Sequence, residues 1–211
     1  MVDATFIARR TTIVLLRDGT RIRLRPIVPD DKEGLLGAFE RLSPESRYRR
    51  FFGGVKRLTP ELLRALTEID YVDHFAWVAQ AHDEPGHPGV GAARYVRLRG
   101  EAAIADAAVT VVDDYHGRGL GTILLEALSA AAIENGIVRF RAYTLVDNHT
   151  MIDILRAAGA HFTIDSPGVY RVDLDLPERA EKLRGMPMYE MLRAAARGEI
   201  SAMPGRALDG G

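Results

Sequence analysis

Two short apolar-rich runs, at residues 12–16 and 21–27, flank Arg17-Asp18-Gly19-Thr20. Asp-Gly between such runs is a hairpin signal. In the second run Ile22 and Leu24 alternate with Arg21, Arg23 and Arg25, which predicts a half-buried strand. Leu35, Leu36, Phe39 and Leu42 then recur at helical spacing behind Pro29-Asp30-Asp31, with Asp30 and Glu33 placed as a capping box. Ser43-Pro44 and Thr59-Pro60-Glu61 each set an N-cap residue before a proline at the first helical position, so two further helices are expected. The first carries Arg47, Arg49 and Arg50, read as a solvated helix face or else as a contact for a phosphate or an acidic partner, and ends at Phe51-Phe52-Gly53-Gly54. Strands are predicted at about 74–81, 90–98 and 102–112, separated by Pro85-Gly86-His87-Pro88-Gly89 and by Gly100. Trp77 alternates with Phe75 in the first of these and reads as core.

The spacing changes after residue 112. A glycine-rich loop at 116–121 runs into a helix that continues to about Asn135 and is stopped by Gly136. A strand at 138–145, a helix at 148–158 ended by Gly159, and two strands flanking Ser166-Pro167-Gly168 complete the order. The strand–helix–strand segment at 102–145 requires a parallel pair. Consecutive strands elsewhere point to a mixed, largely antiparallel sheet, hence an α+β domain spanning 1–176. Residues 177–211 read as an extension, with one helix near 188–196 and a Gly/Pro-rich tail. Met186, Met188, Tyr189, Met191 and Leu192 give that helix an apolar surface, expected to dock on the domain or on a second copy as a homo-oligomer.

Composition narrows the classes. The 211 residues are 47% hydrophobic and 27% charged, an ordinary globular balance. Lys+Arg number 28 against Asp+Glu 29, so no global charge draws the chain to nucleic acid. There is no cysteine, which excludes disulfides, zinc–thiolate sites and cysteine nucleophiles. The histidines show no metal-ligand spacing, so no metal is expected. No apolar run reaches the ~18 residues of a membrane-spanning helix. Met1-Val2-Asp3-Ala4 opens no basic-then-apolar secretion signal, so a soluble, cytoplasmic protein without a membrane partner is expected.

The most informative stretch is Val109-Thr110-Val111-Val112 followed by His116-Gly117-Arg118-Gly119-Leu120-Gly121-Thr122. A strand ends and a helix begins at glycines. Unpaired N–H groups at a helix N-terminus, with the helix dipole, bind anions, and glycine lets a ligand approach the backbone. Arg118 adds positive charge and Thr122 a hydroxyl, a combination suited to a pyrophosphate. The plainer reading of the same glycines is a tight strand–helix turn. Two nucleotide motifs fit poorly. The dinucleotide fingerprint wants an acid about 20 residues on, and the stretch 135–141 holds none. The P-loop wants a lysine after its glycines, and none follows here.

These residues resemble a known family. His116-Gly117-Arg118-Gly119-Leu120-Gly121 is similar to the [QR]-x-x-G-x-[GA] signature of the GNAT acyl-CoA N-acyltransferases, with His116 in the Gln/Arg place. Asn148-His149-Thr150-Met151-Ile152 with Gly159 resembles that superfamily's second motif. Upstream, Ile22-Arg23-Leu24-Arg25-Pro26-Ile27, the segment 42–52 and Leu66-Thr67-Glu68-Ile69-Asp70-Tyr71 resemble one branch, the bacterial Pat-type protein lysine acetyltransferases. The resemblance covers about residues 21–176.

It implies a GNAT fold that binds acetyl-CoA as cosubstrate between two splayed strands. The pantetheine arm would pair with Val109, Thr110 and Val111 as an added strand, and the pyrophosphate would lie on the N–H groups of residues 117–121. Asn148 would contact the cosubstrate from the next helix, or serve simply as an N-cap. The branch places a glutamate base on the strand before the glycine loop, and Asp106 stands there. A carboxylate within an apolar strand is costly to desolvate and is a site candidate, the alternative being a pair with Arg94 or Arg97. Tyr143 occupies the position of a second carboxylate of the branch, and Leu155 that of the tyrosine that protonates the leaving thiolate in many relatives. Tyr143 on its own reads as a strand aromatic packed in the sheet. The implied function is N-acetyl transfer to protein lysines. A small-amine or antibiotic acetyltransferase and a non-catalytic acyl-CoA-binding module are the alternatives.

Overall fold

A computed structural model describes residues 4–176. The helix and domain boundary expected at 177–211 lie outside the described residues. In chain order the elements are α1 (Ala4–Arg9), β1 (Thr12–Leu15), β2 (Arg21–Pro26), α2 (Lys32–Glu40), α3 (Pro44–Phe51), α4 (Pro60–Thr67), β3 (His74–Ala81), β4 (Gly89–Leu98), β5 (Glu101–Val111), α5 (Leu120–Glu134), β6 (Arg139–Leu145), α6 (His149–Ala157), β7 (His161–Ser166) and β8 (Val169–Asp175).

The strands form one sheet in the order β1-β2-β3-β4-β5-β6-β8-β7. Neighbours are antiparallel except β5 and β6, which are parallel, as the connecting helix requires. The expected α+β class and mixed sheet are therefore what the chain adopts. Helix α1 is an addition that the apolar pattern did not announce; Phe6 packs on Tyr71 with ring centroids 5.2 Å apart.

Helix α5 is apolar over most of its circumference and buries ten residues, among them Leu120, Leu124, Ala127 and Leu128. A helix of this kind must lie across a sheet rather than beside it. Trp77, fully buried, donates its indole N–H to the Ala127 carbonyl at 3.0 Å, which confirms its core role. Gly91 makes the close approach of α5 possible: a Cβ there would lie 3.0 Å from Leu124 Cδ1 and 3.1 Å from the Thr110 carbonyl. Phe39, Leu42 and Leu58 extend the core from the α2–α4 region.

The helix caps follow the sequence with one correction. Ser43 and Thr59 accept hydrogen bonds from the backbone of Ser46 and Leu62, as predicted. The Asp30/Glu33 capping box does not form. Pro29–Asp31 winds as a 3-10 turn, α2 begins at Lys32, and Asp31 takes the anchoring part. It accepts from the Val28 N–H at 2.7 Å and receives both terminal nitrogens of Arg25 at 2.5 and 2.7 Å. Arg25 is a buried cation, so the carboxylate that neutralises it is fixed by β2 rather than by the helix pattern.

Candidate functional site

Strands β5 and β6 pair only over Ile104, Ala105 and Asp106 with Arg139, Phe140 and Arg141. Beyond that point β5 stays paired with β4 as far as Val111, while β6 continues against β8. Residues 107–111 are thus left without a strand partner on their β6 side, and unpaired strand edges are templates for an extended ligand. A cavity of about 480 Å³ fills the wedge. It is lined by Asp106, Val109, Thr110 and Val111 on one side and by Tyr143, Thr144 and Asn148 on the other.

The glycine loop closes one end of this cavity. Gly117 and Gly119 have positive φ, +73° and +91°, a conformation that L side chains rarely adopt. Gly119 is the N-cap of α5, so the first N–H groups of the helix, at Leu120, Gly121 and Thr122, lack intrahelical acceptors. Leu120 offers only its backbone, since its side chain is buried in the core. Gly121 is constrained from behind: a Cβ would lie 3.2 Å from Ile154 Cδ1 of α6.

Two cations change roles here. Arg118 stacks over the Tyr115 ring at 4.7 Å and pairs with Asp18 at 3.4 Å, and it does not line the cavity. Arg17, from the β1–β2 turn, does line it; a Cβ on Gly119 would meet Arg17 Nε at 3.3 Å. The turn is tethered to the loop by the Arg17 N–H, which donates to the Arg118 carbonyl at 3.3 Å. His116 is exposed, and its Nε2 lies 2.9 Å from the Val111 carbonyl; a carbonyl only accepts, so Nε2 carries the proton. Asn148 is a genuine N-cap, accepting from the Met151 N–H at 3.4 Å, and also lines the wedge.

Asp106 stands where β5 and β6 part. It is half-buried, faces the cavity and makes no hydrogen bond or ion pair within 4 Å among the described residues. Burial raises its pKa, and the Arg50 guanidinium opposes that rise without cancelling it. The alternative pairing with Arg94 or Arg97 is not adopted. Arg94 contacts His74 at 3.1 Å and the Leu66 carbonyl at 3.2 Å. Arg97 holds Asp73 at 2.7 Å, the Asn135 carbonyl at 2.7 Å and the Ala102 carbonyl.

The arginines of α3 do not form a simple solvated face. Arg47 lies over the Phe39 ring at 4.7 Å, and Arg49 pairs with Glu45 at 2.5 Å. Arg50 turns inward to the cavity, where desolvation lowers its pKa despite the pull of Asp106. Tyr143 is not packed in the sheet either; it is 42% exposed and borders the wedge. Leu155 is buried, with an edge on the cavity. Thr144 escaped the sequence reading. It is buried in the wall of the wedge, and its hydroxyl has no partner among the described residues. Among those residues no cluster of three or more His, Asp or Glu side chains is arranged to hold a metal, and no helix is long and apolar enough to cross a membrane.

A splayed parallel pair beside a glycine loop that opens a helix is a family-level arrangement, and the comparisons agree with it. The family model described as an acetyltransferase (GNAT) domain matches residues 21–161. The chain belongs to the GNAT acetyltransferase family. Acetyltransferase Pat of Mycolicibacterium smegmatis is 37% identical over 190 residues, covering 90% of this chain and 56% of that protein. The crystal structure of the GNAT domain of S. lividans PAT superposes with a TM-score of 0.73 at 35% identity, covering 83% of this chain and all of that domain. A cAMP-binding acyltransferase from Mycobacterium smegmatis gives a TM-score of 0.63 at 35% identity, over 92% of this chain and 55% of that one. The chain thus spans about half the length of the mycobacterial relatives and the whole of the GNAT domain taken alone. Within this family its type is Pat-like.

Proposed function

We propose that the protein moves the acetyl group of acetyl-CoA directly to an amine, the side chain of a lysine in a protein, with Asp106 as general base. The observation that carries this reading is the position of Asp106: an unpartnered carboxylate where an unpaired strand edge begins, at the deep end of a wedge whose other end is the glycine loop. The 107–111 edge suits the amides of a pantetheine arm, and the N–H groups of residues 117–122 suit a pyrophosphate. Arg17 supplies the side-chain cation there, and Asn148 and Thr144 line the same wedge.

The chemistry asks for a base because lysine is protonated near neutral pH. Asp106 in its ionised form removes one proton, the neutral nitrogen attacks the thioester carbonyl, and the C–S bond breaks as the nitrogen gives up its second proton to solvent. The departing thiolate takes a proton from solvent or from the Tyr143 hydroxyl. Leu155 has no proton to give. Aspartate is one methylene shorter than the glutamate of similar enzymes, so proton removal through a water is part of the proposal. The acyltransferase domain is assigned to residues 1–176, with 177–211 as an extension.

The test is to incubate the protein with acetyl-CoA and a panel of proteins, lysine peptides and small amines, following free thiol and acetylated product. Thiol release with acetyl-lysine formation supports the reading. Tight acetyl-CoA binding with no turnover on any amine would assign the protein as a binding module instead.

A further inference from the structure

A second cavity, of about 340 Å³, lies between α2, α3 and strands β3, β4 and β5. Arg50 lines both cavities, and Arg94 lines this one. Arg94 is paired in register with Ala108, two residues along β5 from Asp106, so Asp106, Ala108 and Arg94 share one face of the sheet. The two guanidiniums thus border one cavity, and Arg50 links it to Asp106 at the deep end of the wedge.

Their charge is not matched. Arg50 makes no hydrogen bond or ion pair within 4 Å among the described residues; it only stacks on Phe51, at 4.8 Å. Arg94 uses one N–H on the Leu66 carbonyl and one on His74 Nε2. Since a guanidinium only donates, Nε2 is the acceptor, and His74 is neutral; burial first, then Arg94, brings its pKa down to about 4. Burial together with the charge of Arg50 lowers Arg94 to about 9. The other nearby anion, Asp31, is already taken by Arg25. Asp30 and Glu33 sit on the solvent-exposed rim of the cavity. A buried arginine and a half-buried one thus lie close together, and the carboxylate beside Arg50 is one whose own burial favours its neutral form. An arrangement of this kind stays costly until an anion completes it.

We propose that Arg50 and Arg94 form a carboxylate-binding subsite next to Asp106, so that the preferred acceptor carries an acidic group close to its reacting nitrogen. The phosphates of acetyl-CoA do not account for the pair, because the donors suited to them are at the glycine loop, at the far end of the wedge. A guanidinium fork matches a carboxylate in two parallel hydrogen bonds, which favours that anion. The carboxylate has two sources: an Asp or Glu side chain beside a target lysine, or the α-carboxylate of a free amino acid. The proposal rests on the acetyl-transfer reading for its substrate and on the side chains alone for the anion.

The experiment compares kcat/KM for lysine peptides flanked by Glu, Ala or Arg and for free amino acids, in the parent and in Arg50→Gln, Arg50→Lys and Arg94→Gln. A charge-assisted pair predicts that acidic acceptors exceed neutral ones by about 10- to 100-fold in the parent. That ratio should fall to within about threefold in Arg50→Gln and recover in part in Arg50→Lys. The ratio is the readout because removing Arg50 also alters Asp106, which affects every acceptor alike. A ratio near one in the parent, or one that survives both Gln variants, overturns the proposal. Superior free amino acids would identify the α-carboxylate as the source, and superior Glu-flanked peptides the side chain. Calorimetric titration with glutarate needs no turnover. Binding that disappears in Arg50→Gln supports the subsite even where no amine is acetylated and the transfer reading has failed; no binding to the parent counts against it.

Discussion

Asp106 and Asp113 bracket the open half of β5, and their surroundings are opposite. Asp113, just past the strand, accepts from the Ser43 N–H at 3.0 Å, the Ser43 hydroxyl at 2.7 Å and the Ser46 hydroxyl at 2.9 Å. Burial pushes its pKa up, but these donors outweigh burial and hold it below the ordinary value. Asp106 has no such donors, so burial prevails and its pKa rises. The contrast shows that hydrogen-bond donors, rather than burial alone, decide whether a half-buried carboxylate is a fixed anion or a titrating group. Asp113 ties the start of α3 to the end of β5, and that tie helps to aim Arg50 at Asp106.

The largest expected effect comes from removing the titrating member. Asp106→Asn should lower the transfer rate by roughly 10²–10⁴, the usual share of a general base, while calorimetry shows acetyl-CoA affinity almost unchanged. The acid limb of the pH–rate profile should lie above that of an ordinary aspartate, because the base must be ionised and its pKa is raised. Asp106→Glu should keep activity. An Asp106→Asn protein that fails to fold would put Asp106 in the same structural class as Asp113.

The loop next to Asp113 offers the next largest effect. Gly119→Val forces a β-branched residue to a φ of +91° and into Arg17, so acetyl-CoA binding should weaken by roughly tenfold or more. Unchanged affinity in a titration would remove the anion-binding role of the loop.

Removing the fixed member should act on the fold instead. Asp113→Ala strands the Ser43 N–H and two hydroxyls, with an expected cost of about 1–3 kcal/mol, measured by denaturant unfolding. Activity should fall less than in Asp106→Asn. A stable Asp113→Ala protein would dissolve the contrast.

Glu126 sharpens it in the other direction. Burial lifts its pKa to about 7, and it makes no hydrogen bond among the described residues, yet it lines neither cavity. A carboxyl whose folded pKa is raised holds its proton more tightly when folded. It penalises the folded state increasingly from about pH 4.5 to 7, and evenly above that. Glu126→Gln should therefore melt a few degrees higher than the parent at pH 8, with the gap closing toward pH 4.5. No gap at pH 8 would mean that solvent reaches the carboxylate.

Much of the fold was legible because its signals are local. Alternation in β2, the Ser-Pro and Thr-Pro starts of α3 and α4, and the glycine stops after α5 and α6 each act within a few residues. The strand–helix–strand order around α5 also dictated the parallel pair. The loop and Asp106 were legible through the family motif. Arg17 and Thr144 were not, since nothing in their neighbourhoods distinguishes them from other polar residues, and Arg50 stood out only as one of three arginines on α3. Asp113 and Asp114 are likewise indistinguishable in sequence; one receives three hydrogen bonds, and the other lies 3.8 Å from Arg41.

What the sequence by itself determined is therefore the elements, their order, the class of the sheet and the glycine loop, all of which rest on backbone propensities and short-range spacing. Only the tertiary structure decided which charges meet. It brought Arg17 across from the β1–β2 turn, turned Arg118 away to Asp18, and set Arg50 beside Asp106 and Arg94 near Arg50. The physical reason is that electrostatic partners are chosen through space, between residues tens of positions apart, after packing has fixed which faces of the sheet and helices look at one another.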